Sequence, residues 1–152
     1  MTEETMRWDS SMRKGVGAAG AIVDGDRRIL LVKHSYGRKN WELPGGGVEL
    51  GESPMDGVQR EVQEETGLLV EVDRLTGVYY KQEDDSLHFV FACRYDKGAP
   101  KPDLQEITDC GFFQPDGLPR PMSSFTIQRI LDAMSREPDL SVRLVEPLRW
   151  EM

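Results

Sequence analysis

The sequence predicts an α/β domain in which a mixed β-sheet packs between helices. Apolar runs of strand length recur along the chain, and two segments, one after Ser53 and one over Phe125 to Arg136, have the apolar spacing of amphipathic helices. The chain has 152 residues, which is the length of one domain. We therefore assign residues 1–152 to a single domain, with 1–14 and 140–152 as peripheral segments.

Composition limits the classes of function. The net charge is −8 and the chain has no basic run, which argues against binding to long nucleic acids. A small phosphorylated ligand remains compatible if metal ions offset the local charge. No apolar run approaches the length of a membrane span, and no signal peptide core is visible. Cys93 and Cys110 fit no metal or disulfide spacing, so we expect reduced thiols in a cytoplasmic protein.

The first half of the chain is predicted to form two strands, a glycine loop and a helix. A strand over Val16 to Val23, a turn at Asp24-Gly25 and a partner strand over Arg28 to Lys33 make a predicted hairpin. The glycines of Pro44 to Gly47 allow close approach of the backbone to a ligand. The helix is expected to begin at Pro54, after an N-cap serine, and to stop at Gly67. Three apolar side chains should face the sheet, on a face away from the glutamates: Met55, Val58 and Val62.

The second half is predicted to hold three more strands and a second helix. Leu69 to Tyr80 and Leu87 to Tyr95 have strand character and flank an acidic turn at 83–85, and Ile107 to Gln114 follows them. Phe125 to Arg136 has helical spacing of its apolar residues. The tail from Leu140 to Trp150 either adds an edge strand or crosses to a partner, and the sequence leaves both alternatives open.

Four glutamates surround the first predicted helix. Glu52 precedes it, and Glu61, Glu64 and Glu65 lie near its end. Residues three and four apart on a helix are neighbours, and like charges at that spacing repel by roughly a few tenths of a kcal/mol per pair. Carboxylates that work against their own helix indicate a bound cation, and hard cations such as Mg2+ take oxygen ligands.

The stretch from Gly46 to Leu68, GGVELGESPMDGVQREVQEETGL, resembles the Nudix box at every defining position. Those positions are Gly46, Glu52 after five residues, and, after seven more, Arg60-Glu61-Val62-x-Glu64-Glu65-x-Gly67-Leu68. The preceding Trp41 to Gly47 is also similar to the family. Gly57 departs from the alanine usual there. A helical glycine costs roughly 1 kcal/mol, so we interpret it as a stability defect or a tight packing contact.

The resemblance implies a Nudix-type α/β/α sandwich with a loop-helix-loop catalytic element. It implies a metal-dependent pyrophosphohydrolase that cleaves a nucleoside diphosphate linked to another moiety and releases a nucleoside monophosphate. Mg2+ is the implied cofactor, with Mn2+ as an alternative. The implied metal ligands are three carboxylates and one backbone carbonyl: Glu61, Glu64, Glu65 and Gly46. The family places Glu52 and Arg60 behind these ligands, although a simple surface ion pair is the alternative.

The general base and the substrate contacts are less defined. By resemblance the base is a box glutamate such as Glu64 or a loop glutamate, for which Glu106 is the candidate; a solvated loop carboxylate is the alternative for Glu106. Arg38 and Lys39 could meet phosphates, and an aromatic ring could stack on a base: Tyr36, Tyr79, Tyr80 or Phe125. Exposed cations and core aromatics are the alternatives. His34 and His88 are isolated, and we interpret both as structural.

Markers of several Nudix substrate groups are absent from the sequence. The proline of many ADP-ribose enzymes is missing where Gln82 to Asp84 stand, which leaves nucleoside triphosphates, modified nucleotides and nucleotide sugars open. The expected partner is a small nucleotide, without long nucleic acid or membrane, and a homodimer is a further expectation. Two alternatives share the fold: a non-catalytic nucleotide-binding module and an isoprenoid diphosphate isomerase. The isomerase needs a catalytic cysteine in company that neither cysteine has here.

Overall fold

Three β-sheets, one of them a two-stranded pair, and two helices make up the fold in the computed structural model, which describes residues 9–152. The strands are β1 Gly15–Ile22, β2 Ile29–His34, β3 Trp41–Glu42, β4 Gly45–Gly47, β5 Val70–Lys81, β6 Ser86–Tyr95, β7 Ile107–Phe113, β8 Met122–Ser123, β9 Val142–Leu144 and β10 Trp150–Glu151. The helices are α1 Pro54–Thr66 and α2 Ser124–Met134, with short 3-10 turns at Ser10–Met12 and Gln82–Asp84.

The larger sheet is mixed, as the sequence predicts. Its strand order is β4-β1-β6-β5-β9, and the pairs β1–β6 and β5–β9 are parallel while the other pairs are antiparallel. The second sheet, β3-β2-β7, is antiparallel, and β8 pairs with β10. Sheet side chains alternate between two faces. Ala18 and Ile22 pack in a core with Val58 and Val62 of α1, whereas Ala19 packs in a second core with residues of α2. The helices therefore cover opposite faces, and the predicted layered α/β architecture is confirmed.

The predicted hairpin between the first two strands is wrong. β1 pairs with β4 and β6, whereas β2 pairs with β3 and β7, and only an isolated bridge between Val23 and Ile29 joins the two segments. The Asp24 side chain accepts hydrogen bonds from the backbone N–H groups of Asp26 at 3.0 Å and Arg28 at 2.9 Å. These bonds hold a turn that directs β2 into the second sheet, where fully buried Leu30 and its neighbours find partners on both faces.

Helix α1 begins and ends where the sequence predicts. Ser53 Oγ accepts a hydrogen bond from the N–H of Asp56 at 3.0 Å, and Gly67 ends the helix with φ of 77°. Val58 and Val62 are fully buried. The prediction for Met55 is wrong, because its exposure is 45%: the first helical turn projects beyond the packed surface.

The expectation that the glutamates avoid the buried face of α1 is also wrong for one of them. Glu65 is buried, with an exposure of 4%, and its neighbour Thr66 is fully buried. Gly57 lies in a tight packing contact, since a Cβ there would be 3.2 Å from Glu52 Oε1 and 3.3 Å from Val48 Cγ2. The Glu65 carboxylate faces the sheet at the point where the glycine loop meets the helix, because it accepts a hydrogen bond from the N–H of Gly45.

The tail forms strands within its own chain. β9 adds a parallel edge strand beside β5, and β10 pairs with β8. The Asp132 carboxylate of α2 ties this region together, because it accepts hydrogen bonds from Arg143 Nη1 at 2.5 Å and from the Tyr79 hydroxyl at 2.6 Å. The expected peripheral segment 1–14 lies partly outside the described residues. Within residues 9–152, no helix has the length and apolarity needed to cross a membrane.

Candidate active site

The glycine loop packs directly against the end of α1. The Gly45 N–H donates to Glu65 Oε1 at 2.9 Å, and a Cβ at Gly45 would lie 2.4 Å from the carbonyl oxygen of Ala18. A Cβ at Gly46 would lie 2.6 Å from the carboxylate carbon of Glu61. Only glycine allows this approach from both sides. The loop therefore places two backbone groups beside two carboxylates.

Burial makes the charge on these carboxylates costly. Burial raises the pKa of Glu65 to about 8; the Gly45 N–H opposes this effect, and the charges of Glu61 and Glu106 add to it. Burial also raises the pKa of Glu61, against the nearby Arg60 guanidinium. No basic side chain among residues 9–152 forms an ion pair with Glu65. Both carboxylates are hard oxygen donors, and Glu65 lacks a compensating charge, which fits a divalent cation such as Mg2+.

Arg60 joins most of the remaining box residues. Its Nε and Nη2 donate to the two carboxylate oxygens of Glu52 at 2.8 and 3.0 Å, and Nη1 donates to Glu61 at 3.1 Å. Nη2 also donates to the carbonyl oxygen of Gly47 at 3.0 Å. The guanidinium lowers the pKa of Glu52 to about 2. Such a bidentate, multiply bonded arginine differs from an isolated surface pair and orients Glu61 from behind.

Glu64 lies apart from the buried pair. Its side chain is 57% exposed, and it accepts a hydrogen bond from Arg60 Nη1 at 3.2 Å. In the part of the chain that the structure describes, no three acidic, histidine or cysteine side chains are already gathered as around a bound metal. The structure thus brings Glu61, Glu65 and Gly46 together, and leaves Glu64 on the solvent side of Arg60.

Glu106 lies in the loop before β7, close enough to influence the box. Its backbone carbonyl accepts a hydrogen bond from the N–H of Ser35 at 2.8 Å, and its side chain is exposed. Its negative charge contributes to the raised pKa values of both Glu61 and Glu65. The predicted loop carboxylate therefore shares the electrostatic environment of the buried pair.

A cleft of about 480 Å³ adjoins the glycine loop. Its floor is the backbone of β1, where glycines leave room, and its walls include several polar side chains: Asn40, Glu42, Asp84, Ser86, His88 and Arg129. Trp150 of β10 closes one side. The cleft can hold a ligand that reaches from the glycine loop to the aromatic and polar wall.

Only some of the residues predicted to contact the substrate line the cleft. Tyr36 and Phe125 line the cleft, whereas Arg38, Lys39, Tyr79 and Tyr80 do not. Arg38 stacks on the ring of Trp150 at 4.4 Å, so it lies at the rim, and Lys39 is exposed beside it. The Tyr80 hydroxyl donates to Asp85 at 2.6 Å. Tyr79 belongs to the core.

Sequence reasoning missed an ion pair in the cleft wall. Arg129 Nη2 donates to Glu42 Oε1 at 2.6 Å and to Thr126 Oγ1 at 3.2 Å, and the guanidinium lies 4.1 Å from the centre of the Phe125 ring. Arg129 is 6% exposed. Because arginine is rarely buried without a partner, its position in an otherwise apolar helical pattern was the available signal. Both histidines, predicted to be merely structural, also line the cleft.

Comparisons with known proteins identify the family. The model of the NUDIX domain matches residues 13–134, a range that contains the glycine loop, the carboxylates and most of the cleft. The chain belongs to the Nudix family. It is 40% identical over 119 residues to a MutT-like protein of Streptomyces ambofaciens, covering 78% of this chain and 76% of that protein.

Other Nudix relatives have names that state an activity. The chain is 43% identical over 74 residues to an ADP-ribose pyrophosphatase of Methanocaldococcus jannaschii, covering 45% of this chain and 41% of that protein. A crystal structure of an ADP-ribose pyrophosphatase from Streptococcus suis superposes with a TM-score of 0.70 at 30% identity, covering 88% of this chain and all of that one. The predicted Nudix fold and hydrolase class are confirmed by these comparisons.

Proposed function

We propose that this chain is a Mg2+-dependent pyrophosphohydrolase, with Mn2+ as an alternative metal. It cleaves a nucleoside diphosphate linked to another moiety and releases a nucleoside monophosphate. The observation that supports this most is the carboxylate pair of Glu61 and Glu65, which packs against the glycine loop. Among residues 9–152, no basic side chain forms an ion pair with Glu65. Two neighbouring carboxylates beside a cleft are suited to recruit a metal together with a phosphorylated ligand.

The proposed roles of the box residues follow from their contacts. Glu61, Glu65 and the Gly46 carbonyl would hold the metal, with Glu64 as a further ligand from the exposed side. When bound, the metal would neutralise phosphate charge and lower the pKa of a bound water. Arg60 and Glu52 keep the Glu61 carboxylate in place through the hydrogen bonds of Arg60.

We assign proton transfer to Glu106, with Glu64 as the alternative base. Glu106 is exposed at a loop and its charge is coupled to those of Glu61 and Glu65, so it is accessible to water near the buried pair. A carboxylate in hydrogen-bond reach of a water can remove its proton as the phosphoanhydride is attacked. Neither carboxylate is itself buried, which permits the movement that such a role requires.

The substrate is proposed to be a small nucleotide whose diphosphate meets the box and whose other half occupies the cleft. ADP-ribose is the substrate in the names of two relatives, but the proline of many ADP-ribose enzymes is replaced by the 3-10 turn Gln82–Asp84. The other candidate substrates are nucleoside triphosphates, modified nucleotides and nucleotide sugars. Arg38 and Lys39 at the rim are proposed phosphate contacts, while the Tyr80 contact, a homodimer and a cytoplasmic location stay predictions.

A substrate panel tests the proposal. Canonical and oxidised nucleoside triphosphates, ADP-ribose, nucleotide sugars and dinucleoside polyphosphates are incubated with Mg2+ or Mn2+, and all products are separated by chromatography. We expect metal-dependent release of a monophosphate from one class. Glu61→Gln and Glu65→Gln should lose most of the turnover, and Glu71→Gln, which changes an exposed glutamate of β5, is the matched control. Nucleotide binding without any product would instead support the non-catalytic binding module.

A further inference from the structure

Three side chains form a hydrogen-bonded chain in the cleft wall opposite the box. Ser86 Oγ donates to Asp84 Oδ1 at 2.5 Å and lies 2.7 Å from His88 Nε2. Ser86 is buried, with an exposure of 7%, and all three residues line the cleft. The metal-binding residues of the box play no part in this chain of bonds, and the proposed hydrolysis leaves it without a role.

The direction of these bonds sets the tautomer of His88. An ionised carboxylate only accepts, and the Lys81 ammonium lies 3.8 Å from the other carboxylate oxygen of Asp84. The single hydroxyl proton of Ser86 is therefore committed to Asp84, and the Ser86 oxygen is left as an acceptor. Nε2 of His88 must then carry its proton, which makes Nδ1 a hydrogen-bond acceptor in the neutral ring. Burial and the charge of Arg129 lower the pKa of His88, which favours the neutral ring at pH 7.

Gly17 lies directly beside Nδ1, where a larger residue would clash with the imidazole ring. The parallel register of β1 and β6 pairs Gly17 with His88, and a Cβ at Gly17 would stand 2.9 Å from Nδ1. Among residues 9–152, no protein group donates a hydrogen bond to this nitrogen. On its other side, Gly17 pairs with Gly47 of the glycine loop. An acceptor without a protein partner thus lies in the cleft, across one strand from the loop that adjoins the box.

The wall around His88 has an aromatic side chain and a charged one. The imidazole meets the Phe125 ring edge to face, with 5.6 Å between centroids, and the guanidinium of Arg129 also contacts Phe125. Nη2 of Arg129 already donates hydrogen bonds to Glu42 and Thr126. The wall therefore combines an aromatic surface with the acceptor Nδ1 of His88, and the tautomer of His88 is fixed by protein groups rather than by the ligand.

We propose that His88 determines specificity: its Nδ1 accepts a hydrogen bond from an N–H or O–H donor in the part of the substrate remote from the cleaved phosphoanhydride. This inference rests on the proposed hydrolase function. An exocyclic amino group of a base and a sugar hydroxyl share the required chemistry. A substrate that presents a carbonyl there would bring its oxygen lone pair against the lone pair of Nδ1. Both acceptors would then lack a donor, which disfavours binding of that substrate.

The tautomer is tested without any turnover. Long-range 1H–15N correlation NMR at pH 7 distinguishes protonated from unprotonated imidazole nitrogens, and the chain has only two histidines, so His88→Gln assigns the signals. We expect His88 to carry its proton on Nε2, with an unprotonated Nδ1. A proton on Nδ1 would overturn the proposal while leaving the hydrolase assignment intact.

Specificity is then measured with substrates that differ by one donor. CTP against UTP tests a base amino group, and ribonucleotide against deoxyribonucleotide tests a sugar hydroxyl. For wild type we expect kcat/KM to favour the donor-bearing member of one pair by about tenfold or more, mainly through KM. Should no nucleotide turn over, the same pairs are compared by Kd, with the change in tryptophan fluorescence, to which Trp150 in the cleft contributes, as the signal.

Three variants separate the acceptor from a structural role. In His88→Gln the amide reaches the Nε2 position and keeps the donor to Ser86, so the preference should disappear. In His88→Asn the side-chain oxygen stands in for Nδ1, so the preference should remain. Asp84→Asn can donate to Ser86, which turns the Ser86 hydroxyl towards Nε2, places the proton on Nδ1 and reverses the preference. Equal discrimination by wild type and His88→Gln in every pair, or none in wild type, would refute the assignment.

Discussion

Replacement of Glu65 by glutamine should change how the stability of the metal-free protein depends on pH. The pKa of Glu65 is raised to about 8 in the folded chain, from an ordinary value of 4.5. Between these values the folded state retains a proton that the unfolded state has released. Stability is therefore fully present below pH 4.5 and is lost as the pH rises towards 8. At pH 7 the loss is on the order of 3 kcal/mol.

The variant keeps the local contact while removing the ionisation. Its side-chain oxygen can still accept the hydrogen bond from Gly45, which is 2.9 Å long in wild type. In a domain of this size 1 kcal/mol corresponds to about 2–4 °C in Tm, so Glu65→Gln should melt roughly 6–12 °C above wild type at pH 7. The two proteins should converge near pH 4.5.

Thermal melts from pH 4.5 to 8 in the presence of a chelator measure this difference. Glu64→Gln is the control, because that side chain is 57% exposed and its melting profile should run parallel to that of wild type. Mg2+ should raise the Tm of wild type at pH 7 more than that of Glu65→Gln, since the ion compensates the buried charge. Parallel profiles for wild type and Glu65→Gln in chelator would refute the argument that burial of this carboxylate costs stability.

Three further predictions concern the box and the core. Arg60→Lys keeps the charge but loses the bidentate bond and the contact with Glu61, so kcat should fall by about 10- to 100-fold with an unchanged circular dichroism spectrum. Gly46→Ala would place a Cβ 2.6 Å from the Glu61 carboxylate, whose flexible end must move; we expect at least a tenfold loss of kcat with little change in Tm, whereas Gly25→Ala, with nothing within 4 Å, should leave both unchanged. Burial raises the pKa of Cys93 to about 12, so a thiol reagent at pH 8 should leave it unmodified until urea unfolds the protein; rapid labelling of the native protein at this residue would contradict that.

Local spacing made much of the site predictable. The cap at Ser53, the stop at Gly67 and the positions of Glu61 and Glu65 are all set within one helix, whose phase follows from the sequence. The depth of Glu65 could not be obtained in this way, because it depends on how closely the glycine loop and β1 approach α1. Spacing within a helix fixes its angular positions but carries no information about the surface packed against it.

Long-range pairing was the harder part. The apolar runs that identified β1 and β2 as strands were interpreted correctly, but the turn between them favoured a hairpin that the chain does not make. The wall of the cleft was missed for the same reason. Glu42 and Arg129 are 87 positions apart, and the ion pair between them exists only once the second helix packs across the sheet.

The position of Trp150 has a consequence for synthesis of the protein on the ribosome. The glycine loop and the carboxylate helix are complete by residue 67, yet Leu148 and Trp150 supply part of the cleft. A nascent chain therefore contains the residues of the proposed metal site long before it contains those that complete the cleft. The cleft proposed to hold the nucleotide is complete only after β10 has left the exit tunnel and paired with β8.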